Sequence, residues 1–99
     1  MENLKKNILD WAAERDLLKP ENATKQALKL SEEVGELAGA IIKNKRPEQI
    51  DAIGDILVVL TILSEQLNID MEDALASAYG VIKDRKGKTI DGAFVKDEQ

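Results

Sequence analysis

The sequence predicts an all-α fold, a four-helix protomer that joins other copies in a larger helical bundle. Three observations predict it. Apolar residues recur at three- and four-residue spacing along most of the chain, the period of one helical face. Only two prolines, Pro20 and Pro47, interrupt 99 residues, so long helices are not broken. The segment 56–63, ILVVLTIL, is apolar at every position but Thr61. A helix that is apolar all round is buried on several sides. In so short a chain the simplest cover is another subunit, so a homo-oligomer is expected.

The first helix spans about 3–15, with Leu4, Ile8, Trp11 and Ala12 on one stripe. Residues 16–22, containing Pro20, form a link. The second helix spans 23–43, where Ala27, Leu30, Val34, Leu37 and Ile41 make one apolar face. A turn at 44–46 leads to the third helix, 47–67, which Pro47 opens in a position that suits proline. Helical spacing on both sides weighs against reading 56–63 as a central strand. Asp70 with Asp73 three residues on marks the start of a fourth helix, reaching about residue 85. Residues 86–99 are polar with isolated Ile90, Phe94 and Val95, and read as a tail or arm of one domain, 1–99. Aromatics are 3%, so the core is aliphatic.

Composition removes whole classes of chemistry. With no histidine there is no Ser-His-Asp triad and no His-bound zinc, and with no cysteine no disulfide or thiolate site. Any metal is held by oxygen, which favours Mg²⁺, Mn²⁺ or Ca²⁺. A net charge of −5 argues against nucleic acid as the main partner. An acidic protein accepts a phosphate substrate only with a cation between the two. No apolar run approaches the ~20 residues of a membrane span. The N-terminus mixes Glu, Lys and Asp without an apolar signal core, so a cytoplasmic protein is expected.

Two acidic clusters stand out. Glu32, Glu33 and Glu36 lie in SEEVGEL, where three- and four-residue spacings put side chains on one helical face. Asp51 and Asp55 lie four apart in DAIGDIL. At about 100° per residue their stripe continues as Val58, Val59 and Ile62, so these acids point toward the interior. Buried carboxylates need a partner or a metal, and no basic residue lies on that stripe. A short turn between the two helices brings the clusters together as an all-oxygen site for a hard cation. Gly35 and Gly54 each precede an acid, Glu36 and Asp55. A glycine inside a helix costs roughly 1 kcal/mol against Ala, so close helix approach or room for a ligand is expected there. Lys25 and Lys29 upstream, and Lys83, Arg85, Lys86 and Lys88 after the fourth helix, are candidates to meet phosphate. Trp11 is a candidate to stack on a base, although core packing explains it as well.

SEEVGEL followed after a short turn by DAIGDILVVLTIL resembles the MazG-like all-alpha nucleoside triphosphate pyrophosphohydrolases. WAAERDL upstream and IKDRKGKTIDGAFVK downstream are similar to the small phage and bacterial members. The likeness covers roughly residues 5–95. The family pattern is EExxE followed by ExxD, with Mg²⁺ on the acids. The resemblance therefore implies Mg²⁺, with Mn²⁺ as a substitute, held by Glu33, Glu36, Asp55 and Asp51. With this chemistry the general base is expected at Glu33 or Glu32, and the residues read above, Lys29, Lys83, Arg85, Lys86 and Trp11, are expected to contact substrate. The substrate it implies is a nucleoside triphosphate, cleaved to monophosphate and pyrophosphate in nucleotide-pool house-cleaning. The family's ExxD glutamate falls on Ala52, a departure that leaves Asp51 one residue off register. The alternative is a weakly active or inactive oligomerisation or regulatory module of the same fold.

Overall fold

The computed structural model describes residues 2–97, in two compact units divided between Ile69 and Asp70. The first unit contains α1 (Glu2–Glu14), a 3₁₀ turn (Pro20–Asn22), α2 (Ala23–Ile42) and α3 (Arg46–Gln66). The second contains α4 (Met71–Ile82) and the strands β1 (Gly87–Ile90) and β2 (Ala93–Lys96). The expected four-helix, mainly α architecture is present, with a small sheet added. No helix among the described residues is long and apolar enough to cross a membrane.

In the first unit α2 and α3 pack along one another, and α1 and the 3₁₀ turn lie against α3. The pairing is antiparallel, as a three-residue connection requires. Gln49, near the start of α3, donates its amide to the Ala40 carbonyl near the end of α2 at 3.3 Å. The fully buried apolar residues are small or β-branched: Ala12, Ala40, Ala52, Val59 and Ile62. Each of the three helices ends in the same way. Asp16, Asn44 and Asn68 take φ of 57°, 56° and 56°. The next N–H reaches back five residues: Leu17 to Ala12 at 3.0 Å, Lys45 to Ala40 at 2.9 Å, Ile69 to Ser64 at 2.9 Å. This is the Schellman closure, which satisfies carbonyls that the last turn leaves open.

The polar residue within ILVVLTIL is accommodated inside the helix. Thr61 is buried, and its hydroxyl donates to the Leu57 carbonyl at 2.7 Å. Gln66, also buried, donates to the Leu17 carbonyl at 2.6 Å and pins the link after α1 to the end of α3. The opposite side of α3 is uncovered: Ile50, Ile53, Leu57, Leu60 and Leu67 are all exposed, at alternating three- and four-residue spacing apart from the gap at Ser64.

In the second unit Asp70 caps α4, its Oδ1 accepting from the Asp73 N–H at 3.0 Å. The helix stops at Ile82, three residues short of expectation, because the apolar period ends there. The expected tail is a hairpin over 87–96, with Gly87 opposite Lys96 and Ile90 opposite Ala93. Asp91 and Gly92 turn it with φ of 50° and 81°, the paired positive values of a tight two-residue turn. A Cβ on Gly87 would collide with the Val95 carbonyl and the Phe94 ring. Positions 98–99 of the expected tail lie outside the described residues.

Candidate metal and nucleotide site

Glu33 is the buried member of the acidic set, 5% exposed, in the middle of α2. Its Oε1 lies 3.4 Å from the Lys29 ammonium one turn back, and its Oε2 is buried with no hydrogen-bond partner. A buried carboxylate oxygen left unpaired is costly. Glu36, one turn on, is held above the usual carboxylate range, chiefly by the neighbouring Glu33 carboxyl. Lys29 is held above its ordinary value by its hydrogen bond with Glu33 and by the charges of Glu32 and Glu33. It therefore stays cationic across the working pH range.

Two cavities meet at Asp55, and both are lined by first-unit residues. The acidic one, about 570 Å³, runs between the end of α2 and the start of α3. Glu36, Glu48, Asp51 and Asp55 line it with Ala52 and Lys43. The other, about 500 Å³, lies where early α2 faces late α3, and Trp11, Gln26, Lys29, Glu33 and Asp55 line it. Its floor is apolar, from Val58, Val59 and Ile62. Both volumes fall in the range of small-molecule sites, ~300–1,000 Å³.

Glu33, Asp55, Lys29 and Trp11 thus share one cavity, and Glu36, Asp51 and Asp55 the other. Glu32 is exposed and lines neither of these two. Lys83, Arg85 and Lys86 belong to the second unit, exposed between α4 and β1. Three expectations need correction. Asp51 and Asp55 are exposed rather than interior, because an unpaired charge keeps its water. No three acids among the described residues gather closely enough to hold a metal ion, as like charges on adjacent turns repel. A Cβ at Gly35 or Gly54 meets nothing within 4 Å, so neither glycine serves close helix approach; Gly35 instead borders the acidic cavity.

Sequence reasoning missed Glu48, Lys43 and Gln26. Glu48 had a signal, lying three and seven residues before Asp51 and Asp55 on one stripe. Lys43 and Gln26 had none beyond their helical phase with Gly39 and Lys29.

The profile of the MazG nucleotide pyrophosphohydrolase domain matches residues 21–89, most of the chain. The chain belongs to the MazG family. This MazG domain is also 44% identical over 70 residues to an uncharacterized 18.2 kDa protein in the rep-hol intergenic region of Haemophilus phage HP1 (strain HP1c1). That match covers 71% of this chain and 43% of the phage protein, so the chain spans less than half of its relative's length. No solved structure matches. The matched stretch of the MazG domain includes every acid of both cavities.

Proposed function

We propose that this MazG domain is a Mg²⁺-dependent hydrolase that cleaves a (deoxy)nucleoside triphosphate to its monophosphate and pyrophosphate. One observation carries the reading: Glu33, whose buried Oε2 has no partner, lines a cavity that shares Asp55 with the acidic groove. The donor set fits a divalent cation. It is all oxygen, it holds one orphaned oxygen, and the Glu36 pKa remains raised by Glu33 even with Lys29 beside the pair, a repulsion that a further cation relieves. Mg²⁺ needs only one or two carboxylates when substrate phosphates complete its shell, so a preassembled three-acid cage is not required.

Glu33, Glu36, Asp55 and Asp51 are the residues that would hold Mg²⁺, or Mn²⁺ in its place. When bound, the cation neutralises phosphate charge and acidifies water. The remaining chemistry belongs to the chain. Water forms a bond to the α-phosphorus, the bond from that phosphorus to the bridging oxygen breaks, and pyrophosphate leaves. Glu33 takes the water's proton; burial beside the reacting groups favours it over the exposed Glu32. Lys29 steadies Glu33 and meets phosphate charge. Trp11 offers a ring for the base. Lys83, Arg85 and Lys86 are further phosphate candidates on charge alone. A homodimer or homotetramer and a cytoplasmic setting complete the reading; the uncovered apolar stripe of α3 supports self-association.

A second reading has its own observation. Ala52, where the family pattern carries an acid, is buried and lines the acidic cavity, so the groove has one carboxylate fewer than the pattern asks. On that reading the domain is a weakly active or inactive oligomerisation module. Hydrolysis of dNTPs in ¹⁸O-water separates the two. Label in the monophosphate supports the hydrolase. No turnover of any nucleotide by the folded protein supports the module.

A further inference from the structure

We infer that Gln26 is the specificity-determining residue of this site, reading the edge of a nucleobase seated against Trp11. The inference rests on the nucleotide substrate proposed above and names how its base is chosen. Trp11 is half-exposed and lines the cavity with Gln26. The Arg15 guanidinium lies over the indole, 4.3 Å from the ring centroid, and donates to the Trp11 carbonyl at 2.9 Å. The guanidinium covers one face of the ring, and the half-exposed indole is part of the cavity wall. Val58, Val59 and Ile62 supply the apolar floor that a base needs.

Among the polar groups of this cavity, Lys25, Lys29, Glu33 and Asp55 are charged and suit phosphate or cation. Gln26 is neutral and half-buried, and its amide enters none of the side-chain hydrogen bonds of the described residues. An amide presents a donor beside an acceptor, the pairing by which glutamine grips adenine, and by turning over it also meets the other bases, guanine at O6 and N1–H included, so that the base it favours is set with the apolar floor. The spacing along α2 agrees. Gln26 and Glu33 are seven residues apart, about 10 Å at 1.5 Å per residue, and both line the cavity. That is comparable to the reach of a nucleotide from base edge to α-phosphate. A base read at Gln26 therefore delivers its α-phosphorus near Glu33, with Lys29 between them.

The lone tryptophan supplies a binding signal independent of turnover. The full chain with Mg²⁺ is titrated with the α,β-imido analogues of dATP, dGTP, dCTP and dUTP, following Trp11 fluorescence, as wild type, Gln26→Ala and Gln26→Glu. Circular dichroism confirms that each variant is folded. Gln26→Ala is expected to weaken its preferred analogues about five- to tenfold, the worth of one hydrogen bond. Gln26→Glu offers acceptors only. It should penalise the dATP, dCTP and dUTP analogues and move the dGTP analogue to first rank, because guanine carries two adjacent donors. The same affinities and rank order in all three proteins overturn the role of Gln26, as does a wild-type titration without any fluorescence response. Pyrophosphate release that ignores both substitutions refutes Gln26 and leaves the hydrolase standing. Binding that follows the predicted ranks without pyrophosphate release does the reverse.

Discussion

Glu36 lies one turn from the Glu33 carboxyl, and that neighbour makes Glu36 harder to ionise. The sign of the consequence is fixed by proton binding. With a folded-state pKa above the unfolded value, the native chain holds more protons through that window. This group's contribution to stability is present at low pH and lost as pH rises through the raised value. Lys29, also raised, loses its contribution only above the ordinary lysine range, so it does not mask the effect near neutrality. Glu36→Gln is therefore expected to unfold at a higher temperature than wild type near pH 7 in EDTA, with the difference shrinking toward pH 4. The same variant should lose at least ~100-fold in pyrophosphate release, beyond the ~10–100-fold typical of a supporting partner. Thermal unfolding against pH, beside an activity assay, checks both halves. A variant less stable than wild type near pH 7 contradicts the repulsion argument. The acids themselves were legible in the sequence, since their spacing puts them on helical faces. Burial was legible in part, because it depends on which neighbours cover each face: Glu33 flanks the Leu30, Leu37 and Ala40 side of α2, which points it inward. Glu33 is buried, whereas Asp51 and Asp55, on a stripe that turns apolar, keep their water.

At the scale of elements, periodicity located α1, α2 and α3 to within a residue or two, because each has one face that the first unit covers. The hairpin was not read, although Asp91-Gly92 between short apolar runs is a strong turn signal. Its strands are four residues each and exposed on both faces, so they lack the in-out alternation that marks a packed sheet. The close contact at Gly87 makes that element testable. Gly87→Ala should open the hairpin and speed amide hydrogen exchange over 87–96 while leaving α2 and α3 unchanged. Gly54 lies in the opposite situation, mid-helix with open space around a new Cβ. Gly54→Ala is expected to stabilise the chain by roughly 1 kcal/mol, the helix-propensity difference, in chemical denaturation. A loss instead would mean that a second copy packs on that spot.

The first unit has a small core, and α3 carries a long apolar stripe that this unit leaves exposed, with Ile53 and Leu57 near its middle. A bundle completed by another copy covers that stripe, and Leu57→Glu should then shift the protein to monomer in sedimentation equilibrium at micromolar concentration. A wild-type protein that is already monomeric there contradicts self-association. The central chemistry is the proposed Mg²⁺-dependent cleavage of a nucleoside triphosphate between its α- and β-phosphates beside the buried Glu33. The most direct measurement is pyrophosphate release from a panel of nucleoside triphosphates, with Mg²⁺ and with EDTA, for wild type and Glu33→Gln. Wild type is expected to show Mg²⁺-dependent release, none in EDTA, and the variant a loss of at least ~100-fold. Release that is equal in the variant, or that persists in EDTA, would contradict it.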